Sequence, residues 1–534
     1  MITTKKAARA KSTSYRSCLL LASTGVVVAA MGLAQPARAD DYTDLLDILR
    51  AKGSLTQTEY STLMAKHRHP NRAQRRANRA ESEEAATEAP DNAAALAQAQ
   101  QAAASAAASA AQAQAAATQT QVALKDPMIV RTDTYVPGKG VTFHAGPIDV
   151  NLSGFINGFY TYNSPDRNGQ VVAGGLSTGG ANGFDSSSVR NGLLPGAVIL
   201  KLSTTQNGID LAAVFGAYPG LDNATNGALN ANSGGSPIGL GTAGIDLRQL
   251  FVTAGTKEFG TIKVGRDIGL FGADAILNDA TLLSVGSSGS NAAPGNTSLG
   301  RIGIGYVYTD WLPQITYTTP NMGGATASIG VMQPLDEFDF SGYSASSTQH
   351  STPMFQGQIS FKWGTGPDMK GHIWADGLVQ PHDQVYGFSG ETENGPRTVT
   401  AYAGDVGGTL ALGPVAGAAY YYRGSGLGST GLFFDGIAFN GAKRDSEGYY
   451  LQGSYNIVPK LKLVGSYGVS DLYQASGEAD PDLVRRNESY IGAGYYTLTD
   501  WMTLVAEYAH TESKSHGPSA TDDNTVSLGT IVFF

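Results

Sequence analysis

The stretch Ile245–Pro320, IDLRQLFVTAGTKEFGTIKVGRDIGLFGADAILNDATLLSVGSSGSNAAPGNTSLGRIGIGYVYTDWLPQITYTTP, decides how the rest of the chain is read. It opens with two short strand-like runs separated only by the turn Thr256-Lys257-Glu258-Phe259-Gly260. A long loop follows, over residues 267–300, and from Arg301 the chain returns as a strand toward a second tight turn, Asn321-Met322-Gly323-Gly324. A loop of that length between paired strands is uncommon in a compact domain unless it has a function. The expectation is a loop folded into the mouth of a barrel and narrowing it.

Composition narrows the choice of barrel. With 68 Gly, 25 Tyr against 18 Phe and only 15% charged residues, the chain suits many tight turns and aromatic-bordered strands better than helices. No run of eighteen uncharged apolar residues follows the N-terminus, so no spanning helix is expected. Residues 1–39 read as a secretory signal: a basic start, an apolar core from Leu19 to Leu33, and the small-residue cleavage site Ala37-Arg38-Ala39. Cleavage there removes six basic residues and no acid, taking the net charge from −9 to −15 (−9 minus 6). The single cysteine, Cys18, lies inside that signal, so the mature chain crosses an oxidising compartment without a thiol.

Residues 40–66 read as a small helical hairpin. Tyr42, Leu45, Leu46 and Leu49 share one face, and Thr56-Gln57-Thr58-Glu59 matches a capping box that opens a second helix; a weakly ordered arm is the alternative. Residues 67–125 are first charged, then reduced to Ala, Gln and Ser from Ala93 to Gln121. The basic block Lys66–Arg79 reads as a solvated surface, with anionic cell-wall or lipid groups as the alternative ligand. The Ala/Gln tract is either a thin coiled coil or a flexible spacer.

From about Val141 the period changes to two. Gln356, Gln358, Ser360 and Lys362 alternate with Phe355, Ile359, Phe361 and Trp363; Lys462 and Ser466 oppose Leu461, Leu463, Tyr467 and Val469; Thr503 and Glu507 oppose Met502, Leu504 and Tyr508. One apolar and one polar face is what a strand between lipid and water requires. Seven tight turns, from Gln206-Asn207-Gly208 to Thr499-Asp500, alternate with long polar links, the last of them placed at 511–523. Sixteen strands fit between Asp149 and Phe534, with both barrel ends on the short-turn side. Because lipid offers no hydrogen bonds, such a sheet must close. The fold class is therefore all-β: a transmembrane antiparallel β-barrel of about sixteen strands over 140–534, preceded by a short helical or coiled-coil arm.

Alternation also sorts the charges. Lys201, Arg248 and Lys362 fall on the lumen face, because Val198, Leu200 and Leu202, then Leu247 and Phe251, then Phe361 and Trp363 claim the other. Arg301 joins them opposite Ile302 and Ile304, and Lys263 opposes Ile262 and Val264. Asp210, Asp246 and Glu507 also face inward, and the loop supplies Asp267, Asp274 and Asp279. Strict alternation sends Arg266 toward lipid, where a charge is costly, unless the strand has ended or a bulge turns it.

At these residues the chain resembles Gram-negative trimeric porins. RQLFVTAGTKEFGTIKVGR is similar to their hairpin ahead of the constriction loop, and ITYTTPNMGGATASIGV to the strand, turn and strand after it. The terminal Phe534 is similar to the aromatic that the barrel-assembly machinery reads. With its N-terminal arm the chain resembles DcaP-like porins in particular. The resemblance implies a homotrimer in the outer membrane, among lipids and lipopolysaccharide, that passes small hydrophilic solutes. It also implies a transverse field between loop acids and wall bases, with Arg266 turned inward at the constriction. Contact of the arm with the cell wall is a further expected partner; nucleic acid, cofactor and metal are not.

Other motifs carry little. Gly426-Leu427-Gly428-Ser429-Thr430-Gly431 fits a nucleotide-binding pattern, but no βαβ unit surrounds it. His510 and His516 have no ligand spacing around them, and no G-x-S-x-G or H-E-x-x-H appears. An enzyme is not expected. The competing readings are a tethering or adhesive barrel and, behind it, a barrel-embedded hydrolase.

Overall fold

The computed structural model describes residues 57–68, 108–114, 130–133, 135–179, 183–220, 245–287, 297–347, 349–364, 366, 369–385 and 397–534. The signal at 1–39, the first helix of the hairpin and most of 67–125 lie outside the described residues. In the N-terminal unit, α1 (Gln57–Arg68) is helical, as is 108–114 within the Ala/Gln tract. No helix among the described residues is long and apolar enough to cross a membrane.

The described strands from Val130 onward form one sheet of nineteen. Three are short: β1 (Val130–Thr132), β2 (Val141–Ala145) and β4 (Ser186–Arg190). The other sixteen form the barrel. They are β3 (Ile148–Pro165), β5 (Ala197–Gln206), β6 (Ile209–Pro219), β7 (Ile245–Thr256), β8 (Gly260–Ile268) and β9 (Trp311–Thr318). Then come β10 (Ala325–Met332), β11 (Met354–Trp363), β12 (Met369–Val385), β13 (Arg397–Leu412) and β14 (Val415–Ser425). The last are β15 (Asp445–Val458), β16 (Leu461–Leu472), β17 (Val484–Thr497), β18 (Met502–Ser515) and β19 (Ala520–Phe533). Each pairs antiparallel with its neighbour, and β19 pairs with β3 from Asp523↔Pro165 to Phe533↔Phe155, which closes the cylinder. Gly154 and Phe534 exchange both backbone hydrogen bonds (2.9 and 3.0 Å), so the chain's last residue locks the seam.

Six of the seven tight turns lie within the described residues and fall where the sequence pattern puts them; the one at 364–368 is only partly described. Asn207 (φ 53°) and Gly208 (φ 80°) both take positive φ, as a two-residue turn between right-twisted strands requires. Exposed Ile262, Ile315, Ile329, Ile359, Leu451 and Leu528 mark the lipid face.

Three boundaries differ from expectation. The strand after the long loop begins at Trp311, not Arg301, because Gly303 (φ 73°) and Gly305 (φ 122°) break the extended run. The link expected over 511–523 shrinks to 516–519, since β18 and β19 run on. The second barrel strand is also split. β4 pairs with the upper part of β3 and β5 with the lower, and residues 191–196 bow inward between them.

Candidate functional site

The described parts of the inward loop, residues 269–287 and 297–310, must satisfy their own backbone polar groups inside the cylinder. Inward-facing polar side chains of the wall do this. Gln356 Oε1 accepts from Leu270 N (2.6 Å) and Phe271 N (3.0 Å), and Asp405 Oδ2 accepts from Gly272 N (3.0 Å). Gln452 accepts from Ala280 N (2.8 Å) and donates to Asn278 O (3.0 Å). Glu507 takes Ser284 Oγ (2.6 Å), Gly286 N (2.6 Å) and Val285 N (3.2 Å). The bowed segment joins from the other side, with Leu193 N and Leu194 N donating to Ser284 O (2.9 Å) and Leu282 O (3.0 Å). So clamped, the loop forms α2 (Ala273–Leu277) and a 3-10 turn over Ala280–Leu283.

The eight residues expected at the constriction divide four ways. Asp274, on α2, and Lys362, on β11, lie together: Gln358 Nε2 donates to Asp274 Oδ2 (3.1 Å), and His372 Nδ1 is 3.8 Å from its Oδ1. Lys362 and His372 face each other across β11 and β12 and line a hollow of about 440 Å³ with Lys370, Asn278 and Gln452. A second hollow, about 480 Å³, adjoins it through Asn278, Gln452 and Ser454 and adds Lys460, Lys462 and Tyr495. Sequence reasoning had no role for His372, Lys370 or Lys460, although the parity of their strands already turned the first two inward.

Arg248 and Asp267 flank the opposite side of the loop. The register shifts between Gly216 and Ala217, a bulge that brings Arg248 and Gln249 inward together. The same bulge corrects the expectation for Phe251. It sits on the inner face beside Thr253, and Lys263 Nζ lies 5.2 Å from its ring centre. Lys263 also ion-pairs with Asp267, to which Gln249 Nε2 donates (3.0 Å). Lys201 is on the inner face of β5, opposite Val214, and exposed.

Arg266 does not turn inward. The β7–β8 ladder runs without a shift up to Leu250↔Arg266 and the β8–β9 ladder through Arg266↔Pro313, so it keeps the outward parity of Ile262 and Val264.

Asp279 and Arg301 hold the loop together, and Asp279 also lines the larger hollow. Asp279 caps the 3-10 turn, accepting from Thr281 N (2.9 Å), Thr281 Oγ1 (2.6 Å) and Tyr306 OH (2.8 Å). Arg301 is fully buried and donates to Ser489 Oγ (3.2 Å) and Ile304 O (3.4 Å). Its expected lumen position fails because 301–310 is packed coil, not strand.

Above the loop the described interior carries a packed apolar cluster. Leu427, Leu432, Phe433 and Phe434, from the link between β14 and β15, pack in one cluster with Phe271, Tyr306 and Trp374. Arg444 ties three mouth loops: it donates to Glu478 Oε2 (3.0 Å), Ser344 Oγ (2.6 Å), Tyr343 O (2.6 Å) and Asp435 O (2.9 Å). Burial pushes the Glu337 carboxyl in the same region well above the usual carboxylate range, against the 2.8 Å bond it accepts from Ile437 N.

The family model described as Gram-negative porin matches residues 99–516, well over half of the chain. Among solved structures, the outer membrane channel DcaP of Acinetobacter baumannii is 16% identical, covering 72% of this chain and 97% of its own, with a TM-score of 0.52. An anion-selective porin from Comamonas acidovorans is 13% identical, covering 72% and 100%, with a TM-score of 0.47. OmpF of Salmonella typhi, solved with daunomycin, is 13% identical, covering 76% and 100%, with a TM-score of 0.45. No curated protein matches significantly. At 16% identity the first likeness establishes a shared fold.

Proposed function

The chain belongs to the Gram-negative porin family, outer-membrane channels through which small solutes diffuse passively, and from that membership we propose that its constriction is set by the inward loop facing a basic wall. The observation that carries this is the pair of adjoining hollows beneath the loop, where Asn278 faces Lys362, Lys370, Lys460 and Lys462. Asp274 is the opposing acid. A row of fixed positive charge in a low-dielectric channel raises the local anion concentration and disfavours cations. Arg248 and Asp267 are the second flank of the constriction, and Lys201 lies in the vestibule below it. Asp279 and Arg301 act indirectly, by keeping the loop in shape.

Transport is the reading that these groups support, because the charges are spread along a wall rather than gathered at one point. The protein is further proposed to be a homotrimer among outer-membrane lipids and lipopolysaccharide. Residues 1–39 are its signal, 40–66 and 67–125 its periplasmic arm, with the cell wall as the arm's partner, and Phe534 its signal to the assembly machinery. The test is single-channel current of the purified full-length protein across a planar bilayer under a salt gradient. Ohmic steps in threes, with a reversal potential on the anion side, are expected. Correctly folded barrels that conduct nothing would move the reading to a tethering role.

A further inference from the structure

The segment that leads from the N-terminal arm into the barrel is docked by very little. β1 is exposed along its three residues and pairs with β2 through Val130↔Ala145, Arg131↔His144 and Thr132↔Phe143. Asp133 N adds a bond to Thr142 O (3.2 Å), and the Tyr135 ring lies 5.9 Å from that of Trp501 on the β17–β18 turn. Few buried contacts and exposed backbone bonds put such a segment at the low-stability end of a fold.

One side chain crosses this weak joint. His144, on β2, meets a carboxylate with each ring nitrogen: Nε2 is 2.8 Å from Asp133 Oδ1, and Nδ1 is 2.7 Å from Asp149 Oδ1. Asp133 belongs to the incoming segment and Asp149 to β3, where it is the residue opposite His144. Ionised carboxylates only accept, so both bonds exist together only when the imidazole is protonated and donates from both nitrogens. The neutral ring keeps one N–H, and its other nitrogen then turns a lone pair on a carboxylate.

The surrounding charges favour the protonated ring. Arg131 is its opposite residue on β1, and Lys139 lies in the β1–β2 link. Lys201 on β5, opposite Asn151, and Asp210 on β6, opposite Thr205, stand farther along the same face. Against these, the bonds to Asp133 and then Asp149 hold the imidazole above its ordinary range. The ring lies outside the spanning strands, since β2 is not one of the sixteen.

We propose that His144 is a pH-operated latch: the protonated ring pins Asp133, and with it β1, to the short-turn end of the barrel, and the neutral ring lets β1 go. Release frees residues 130–140, roughly 35 Å of extended chain, and so lengthens the tether of the arm. The latch is fully closed below the ordinary imidazole pKa and opens as pH rises through the raised folded value. Protons equilibrate through a water-filled channel, so the latch follows the pH of the medium; that last step alone rests on the porin reading.

Cys18 leaves with the signal, so a nitroxide on Val136→Cys in the otherwise complete mature protein reports the segment directly. Its mobile fraction should rise about fivefold from about pH 5.5 to about pH 9, the scale of one exposed charged bond. A label at Met322→Cys, on the β9–β10 turn, should stay unchanged. His144→Gln should remove the pH dependence, and His144→Arg, a cation at every pH, should keep the segment immobile throughout. Asp133→Asn should lower the midpoint. A rise that survives His144→Gln, a segment more mobile in acid than in base, or a label equally mobile at every pH with His144 in place would each overturn the proposal. The titration with His144 in place, together with Asp133→Asn, decides the matter even where a His144 variant does not fold. Absence of current in bilayers would instead sink the porin reading and leave these outcomes standing, so the two failures are distinct.

Discussion

The two halves of the barrel interior are built of different material, and single strands show the change. Along the inner face of β12, Lys370 is exposed and His372 half-buried, while Trp374, Asp376, Leu378, Gln380 and His382 are buried. On β15, Asn456 is exposed, Ser454 and Gln452 are half-buried, and Tyr450, Gly448 and Ser446 are buried. Both strands run unbroken through the change, so the difference comes from what the loops put inside them. Toward the short turns the lumen is open and basic. Toward the long loops it is packed with an apolar cluster and a network of paired charges. The lower half can set which charge of solute is favoured, and the upper half sets how wide and how rigid the opening is. Substitutions in the two halves should therefore separate stability from selectivity.

The largest loss of stability is expected at Arg444 in the upper half. Its side chain is fully buried and its partner Glu478 is 3% exposed. Removing one member of such a pair leaves the other charged and unsolvated, so Arg444→Ala should cost about 3–5 kcal/mol. Denaturant unfolding and protease cutting within residues 426–444 would measure it. An unchanged midpoint would mean that the mouth loops are held by apolar packing alone.

Glu507 comes next, at the seam between the halves. Glu507→Ala leaves Ser284 Oγ and Gly286 N without their charged acceptor and should cost about 2–3 kcal/mol. It should also make the open-channel current noisier, because the loop loses its anchor on β18. Silent loss of stability with a quiet current would place the loop's rigidity in Gln356 and Gln452 instead.

How far such anchors can be read from sequence follows from these residues. The parity of Gln356, Gln358 and Glu507 was legible because their strand neighbours alternate cleanly, and so were the tight turns, whose Asn and Gly residues have few other uses. What those side chains bind was not legible, since the loop backbone they satisfy has no pattern of its own. Two errors have one origin. Phe251 was turned outward because a bulge opposite Gly216 and Ala217 leaves no mark on the apolar rhythm. Arg301 was placed on a strand because Ile302 and Ile304 imitate one, until the positive φ of Gly303 and Gly305 ends the run. Local alternation fixes a face only while the ladder is unbroken.

Glu337 offers a smaller, pH-dependent test of the packed half. Burial raises its carboxyl far above the ordinary range. An acid raised in the folded state stabilises it fully below the ordinary carboxylate pKa, and that contribution is lost as pH rises through the folded value. The mouth loops should thus become easier to cut by protease with rising pH. Glu337→Gln keeps the acceptor for Ile437 N without the charge and should flatten that slope. A slope that survives the substitution would shift the titration to Asp435, which burial also raises.

The open half should respond in the opposite way. Lys362 and Lys370 are exposed within the hollow, so Lys362→Glu with Lys370→Glu should change stability by no more than about 0.5 kcal/mol. Their effect on ions should be large. Two reversed charges beside Asp274 make that wall acidic, and the anion-to-cation permeability ratio should fall severalfold, most at low salt, where the field is least screened. Reversal potentials at two ionic strengths measure this directly. If selectivity holds while the double variant folds normally, the ions must pass on the Arg248 flank rather than through the basic hollow. If it falls as expected, the field belongs to the short-turn half, and the packed mouth above it acts only through its width.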